Sequence, residues 1–108
     1  MNEDNDSKDY IYLEKFIWNK EKAEKNKLKH KVSFETAINV FSDNDYLELY
    51  DENNSTFEED RYNIIGLVNG VVVLFVTTTD RNEMIRIISA REATKKEREV
   101  YYAKKKNV

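Results

Sequence analysis

The sequence predicts an α+β fold, a small antiparallel β-sheet with N-terminal helices and a C-terminal helix packed on it. Three observations carry that expectation. Strand-like runs follow one another with short connections from Tyr46 to Ala90, as in an antiparallel meander. Two of them meet at Asn69-Gly70, whose residues accept the positive φ of a tight hairpin. The last run leads into Thr94 and Glu97, the S/T-x-x-E spacing in which two side chains satisfy backbone N–H groups at a helix start.

Residues 1–9 are polar and acidic and read as a disordered tail; residues 10–104 read as a single domain. Tyr10 to Trp18 reads as a first strand, with Phe16 and Trp18 covering the core. Asn19 is placed to cap a helix from Lys20 to about Leu28, in which only Ala23 and Leu28 are apolar. Ser33 is a good N-cap for a second helix, where Phe34, Ala37, Ile38 and Phe41 follow the i, i+3, i+4, i+7 pattern. Tyr46–Tyr50, Arg61–Val68, Val71–Thr79 and Arg81–Ala90 are the meander strands, and Asp51–Asp60 is an acidic loop. Ser89 and Glu92 also have capping-box spacing, but a helix starting there would cut the strand short, so Thr94 is the expected start.

Composition excludes several function classes. Without cysteine there is no disulfide framework and no thiolate metal site, and a reducing cytosol suits the chain. The amino-terminal stretch lacks the apolar region of a signal peptide, and Val71–Val76 is too short to cross a bilayer. No glycine-rich phosphate loop and no nucleophile elbow is present, so no cofactor and no metal are expected. The net charge of −3 hides segregation: residues 15–31 hold seven lysines and two acids, residues 35–60 nine acids and no lysine or arginine, and residues 81–106 nine basic residues and four acids. Two basic blocks that met in space would form a positive surface; apart, they are ordinary solvated helix faces.

Candidate chemistry lies in those blocks. His30, the sole histidine, is the side chain whose ordinary pKa lies near neutral, so it can donate or accept a proton; it can equally be a cation at a helix C-terminus. Lys22, Asn26, Lys29 and His30 can share one helical face, which suits either solvent or a phosphate backbone. Glu59 and Arg61, two apart at a strand start, can point the same way, as a surface ion pair or as a base beside a phosphate-binding cation. Arg86 inside an apolar strand is either a surface residue or a cation on a rigid platform.

The chain resembles the BrnT toxins of type II toxin–antitoxin systems from about Phe16 to Tyr101. Lys29-His30-x-Val32-Ser33-Phe34-Glu35 and Ile85-Arg86-Ile87-Ile88-Ser89-Ala90-Arg91-x-Ala93-Thr94-x-x-Glu97 carry the resemblance, with Trp18, Lys22, Asn26, Asp43, Glu59, Arg61, Gly66, Arg81 and Tyr101 between and beside them. It implies a RelE-like fold, a cytoplasmic ribonuclease that inhibits translation, and a BrnA-type antitoxin that neutralises the toxin in a two-toxin, two-antitoxin complex. Operator DNA is then contacted only through the antitoxin. For this chain the expected roles are acid or base for His30, runner-up base for Glu59, and phosphate binding for Arg61, Arg81 and Arg86. Lys22 and Lys29 would orient the RNA, and Tyr101 would offer a hydroxyl or a stacking face. Two departures bear on these roles. Asn19-Lys20 stands where the family has Asp-Pro, which still leaves a helix cap, and Lys31 stands where it has glycine, which accepts a left-handed C-cap more readily. The competing expectation is a weakened member that binds RNA and antitoxin without cleaving; a DNA-binding regulator in its own right has no helix-turn-helix pattern to support it.

Overall fold

The computed structural model describes residues 9–106, so the expected tail lies, apart from Asp9, outside the described residues. Strands β1 (Tyr10–Leu13), β2 (Phe16–Asn19), β3 (Leu47–Tyr50), β4 (Arg61–Val68), β5 (Val72–Arg81) and β6 (Met84–Glu92) form one sheet in the order β1-β2-β6-β5-β4-β3. Helix α1 spans Lys20–His30, α2 spans Phe34–Ala37 and runs into a 3-10 turn over Ile38–Ser42, and α3 spans Lys95–Lys106. The meander β3 to β6 is antiparallel, as expected.

The first strand differs from expectation. Glu14 takes a φ of 55° and folds Tyr10–Trp18 into a hairpin, β1 on β2. Strand β2 then pairs in parallel with β6, Phe16 beside Ile85 and Ile17 beside Arg86, so the sheet is mixed. Parallel pairing follows from the path: α1, α2 and the 3-10 turn carry the chain to the far edge, and the meander returns β6 to β2.

The inner face of the sheet, with Trp18, Ile64, Val76 and Ile87, packs under Val32, Phe34, Ala37 and Val40. The expected stripe was Phe34, Ala37, Ile38 and Phe41. The segment instead tightens to about three residues per turn after Ala37, which aligns Phe34, Ala37 and Val40. Those three are fully buried, whereas Ile38 and Phe41 are only partly so. Gly66 admits this close approach, since a Cβ there would lie 3.0 Å from Val40 Cβ and 3.1 Å from the Val40 carbonyl oxygen. On the opposite face, Tyr101 and Ala93 cover only Ile65, Val73 and their neighbours at one end.

Two side chains complete the ladder where strands run out. Beyond β2, the Ala90 N–H donates to Asn26 Oδ1 at 3.1 Å, and Asn26 Nδ2 donates to the carbonyls of Ala90 and Val32 at 2.8 and 3.0 Å. Asn26 therefore belongs to the buried seam of α1, not to its solvated face, while Leu28, one of the two apolar residues of that helix, is 75% exposed. Beyond β3, the Leu67 N–H donates to Asp43 Oδ2 at 2.8 Å. The same oxygen accepts from the Tyr101 hydroxyl at 2.5 Å, and Oδ1 accepts from the Asp45 N–H at 2.9 Å.

The helix starts form as the sequence indicates. Asn19 and Ser33 side chains accept from the N–H groups of Lys22 and Thr36. Thr94 and Glu97 make the reciprocal capping pair at 3.2 and 2.8 Å. Arg91, inside β6 rather than after it, grips Glu97 through both guanidinium nitrogens at 2.8 and 3.0 Å and lies 4.3 Å from the Phe75 ring centre. Lys31 does adopt the left-handed C-cap, at φ 63°, with its N–H bonded to the Lys27 carbonyl.

Asn26→Ala strands an N–H and two carbonyls at a buried seam. It should lower unfolding free energy in urea by about 2–4 kcal/mol. Lys31→Gly relieves a left-handed side chain and should raise it by about 1 kcal/mol. A null result for Asn26→Ala would remove the seam from the stability account.

Acid should act through two carboxylates. Burial by itself raises the Asp43 pKa, but bonds from the Leu67 N–H, Tyr101 and the Asp45 N–H, with Lys105 nearby, outweigh it and hold it below 3.8. The Arg91 bond, opposed by burial and helped by Thr94, holds Glu97 below 4.5. Both folded values are depressed, so the stability is complete above about pH 5 and is lost as pH falls through the folded values. Melting followed by circular dichroism from pH 7 to 3 should show a plateau and then a fall. Asp43→Asn, which keeps an acceptor but does not titrate, should make that fall shallower.

Candidate functional site

The register of β4, β5 and β6 assembles the arginines. Arg61 pairs with Thr79 and Thr79 pairs with Arg86, so the three form a row on the open face. Two strand spacings, about 10 Å, separate β4 from β6. Arg81 lies on the same face, two residues beyond Thr79, and closes β5 opposite Met84 across an Asn82–Glu83 turn with both φ positive. Arg81 thus ends β5 instead of starting β6. Thr79 is buried and donates to the Asp60 carbonyl at 2.6 Å, which fixes the centre of the row.

Glu59 joins this row through Arg61, whose Nε donates to Glu59 Oε1 at 2.9 Å. Both side chains are about one-third exposed, so the pair contributes about 0–1 kcal/mol to stability and its second carboxylate oxygen is open for other work. Among the described residues Arg86 has no carboxylate partner; its guanidinium lies 5.2 Å from the Tyr10 ring centre. A polar row, Asn63–Thr77–Ser89, borders the arginines, with Thr77 donating to Asn63 at 2.9 Å. Beyond it α3 takes over the face.

The basic helix stands at the rim. Ala23, Asn26 and His30 form the inward stripe of α1. Lys27 and Lys31 lie to one side of it and line a cleft with Val72, Leu74 and Glu92 of the inner face. Lys22 and Lys29, seven residues apart, lie to the other side, toward the face that carries Arg86. Helix α1 thus runs beside β6, with Lys22 and Lys29 on the flank away from that cleft. Other acids gather about Tyr62: burial, then Asp60, Asp80 and Glu48, raise its phenol pKa on the inner face.

The structure does not bring every expected residue to one place. Ile17 is level with Arg86, Asn26 is held at Ala90, and Lys31 lines the same cleft as Glu92, so α1 advances along β6 and His30 ends toward its last residue. Six strand residues, up to about 20 Å, then separate the level of His30 from that of Arg86. Tyr101, expected at the substrate surface, is fully buried with its hydroxyl committed to Asp43, and burial and that bond raise its pKa. It presents no stacking face. Two members of the site carried little signal in the sequence: Thr79, one of three consecutive threonines, and Tyr10, whose ring meets Arg86 only because the first run folds back as a hairpin.

Among the described residues no group of three or more His, Asp and Glu side chains could hold a metal ion, and no helix is long and apolar enough to cross a membrane. No curated protein gives a significant match to the chain. The fold is similar to the crystal structure of the Brucella abortus ribonuclease toxin, BrnT, with a TM-score of 0.57 and 20% identity over 72% of this chain and 94% of that one. Residues 18–97 match the family described as ribonuclease toxin, BrnT, of type II toxin–antitoxin systems. That span takes in α1, the whole meander, the arginine row and the capping box, and the chain belongs to the BrnT family.

Proposed function

We propose that this chain is a cytoplasmic endoribonuclease toxin that cuts RNA by attack of a 2′-hydroxyl on the adjacent phosphate. The observation that carries the reading is the Arg61–Thr79–Arg86 row with Glu59 bonded to Arg61 at 2.9 Å. The 2′-hydroxyl is a nucleophile already held next to phosphorus, so the protein supplies a base and fixed cations and no metal. Arg61 and Arg86, with Arg81 at the rim, neutralise the charge that builds on the phosphate oxygens. Glu59 takes the hydroxyl proton through its open oxygen, and the departing 5′-oxygen takes a proton from solvent. The products are a 2′,3′-cyclic phosphate and a 5′-hydroxyl. His30, expected as first acid or base, lies too far along β6 to share a phosphate with this row. It binds RNA further along the strand, with Lys22 and Lys29.

Cleavage of cellular RNA would inhibit translation. A BrnA-type antitoxin would neutralise the toxin in a two-toxin, two-antitoxin complex that reaches operator DNA through the antitoxin alone. The family's place in type II toxin–antitoxin systems supports a partner of this kind. The separation of His30 from the arginines favours one second reading, RNA and antitoxin binding without cleavage.

Purified protein and labelled RNA separate the two. Arg61→Ala and Arg86→Ala should each lower kcat/KM by about 100- to 1,000-fold. Glu59→Gln should lower it by about 100-fold or more, and His30→Ala by less than about tenfold. Loss of cleavage in a folded His30→Ala protein would return His30 to the acid–base chemistry and refute solvent as the donor to the 5′-oxygen. Salt-sensitive binding with no product from the unmodified protein would establish the second reading.

A further inference from the structure

We infer that the β1 arm forms a nucleobase-binding platform beside the phosphate row, with Tyr12 as its stacking surface and Tyr10 as its brace. The inference deepens the ribonuclease reading and rests on it. Register extends the row of cations outward: Arg61, Thr79, Arg86, Ile17 and Tyr12 are successive neighbours across five strands on the open face. Tyr10, two residues away on the same side of β1, lies against Arg86 at 5.2 Å. Its ring holds the guanidinium plane in place by a cation–π contact.

The fold has no use for Tyr12 in its core. Ile11, on the other side of β1, makes the inward contact with the inner-face cluster. Tyr12 is 57% exposed, in contrast to its strand partner Ile17 at 7%. A ring projecting from a rigid hairpin, two strands from an arginine, has the components of a single-strand site: a cation for the phosphate and an aromatic face for the base. Stacking on such a ring is tolerant of base identity, and the ligand class is an unpaired nucleotide. The arm also lies before residue 18, where the family match begins.

The test uses a 2′-O-methyl oligoribonucleotide, which cannot be cut through its 2′-oxygen, and the same oligonucleotide with an abasic position at its centre. Tyr12→Thr preserves β-propensity at the exposed edge, and Tyr12→Phe preserves the ring. Tyr12→Thr should weaken binding of the base-bearing strand by about 5- to 100-fold, while Tyr12→Phe should bind as the unmodified protein does. The abasic strand should bind the unmodified protein as weakly as the base-bearing strand binds Tyr12→Thr, with no further loss when the two changes are combined. In Tyr12→Trp, titration with the base-bearing strand should quench the new fluorescence over the constant signal of Trp18, which is 1% exposed. Equal binding of the base-bearing strand by Tyr12→Thr and the unmodified protein, with Arg86→Ala still impaired, overturns the platform alone. Failure of the unmodified protein to bind either strand overturns the platform and the ribonuclease reading together.

Discussion

The Asp43 carboxylate accepts hydrogen bonds from the Leu67 N–H, the Asp45 N–H and the Tyr101 hydroxyl, and through them it sets where α3 lies on the sheet. Bonds to a charged acceptor contribute about 1.5–3 kcal/mol each, so this carboxylate outweighs the weak surface pairs elsewhere. It joins the end of the 3-10 turn, the unpaired part of β4 and the last helix, which are remote in sequence. Because Tyr101 is drawn to that end, α3 covers Ile65 and Val73 and stops short of the Asn63–Thr77–Ser89 row. What remains uncovered is the part of the open face that carries the arginines.

Asn26 plays the corresponding part at the other edge, and it too has a consequence for function. By bonding both polar groups of the Ala90 backbone it presses α1 along β6. Lysines seven residues apart on the outer flank are thereby set beside the open face, on a chain whose net charge is negative. Strand β3 lies at the far edge of the sheet, and of the acidic loop Glu59 is bonded to Arg61. A negatively charged protein can therefore offer a polyanion positive charge on the Arg86 side of the sheet, two strands from Glu59, since charges beyond about 10 Å are largely screened at ordinary ionic strength.

Much of this was legible in the sequence where a local rule acts alone. The caps at Asn19, Ser33 and Thr94, the Asn69-Gly70 turn and the meander are each set by side chains within a few residues. The positions of Arg61, Arg81 and Arg86 were legible too, but only as candidates, because register is what puts them on one face. The hairpin in Tyr10–Trp18 was not legible: Glu14 is an ordinary residue that takes a positive φ because pairing of β1 with β2 demands it. Nor was the inward turn of Asn26, a polar residue on a polar helix, whose partner is 64 residues away. Tyr101 was misplaced for the same reason: an aromatic on a charged helix is exposed or buried according to what the sheet presents beneath it.

Strand β6 shows how a single residue can divide one run of sequence between chemistry and structure. Strict alternation would put Arg86 and Arg91, five residues apart, on opposite faces. Thr78 pairs with Ile87 and Thr77 with Ser89, so Ile88 is an extra residue, a bulge that resets the alternation. Both arginines then face the same side. Arg86 stays uncovered beside Tyr10, whereas Arg91 meets Phe75 and is gripped by Glu97 at the start of α3. The bulge thereby lets one strand hold a cation free for a phosphate and, a few residues on, spend another on anchoring the helix that leaves the first one open. Deleting Ile88 would leave a regular ladder with Arg86 and Arg91 still on one face, whereas one residue inserted after Ser89 and taken up by strict alternation would exchange the faces downstream, turning Arg91 inward and Ala90 away from Asn26. That is why the seam at Asn26, the cap at Glu97 and the arginine row stand or fall with the same register.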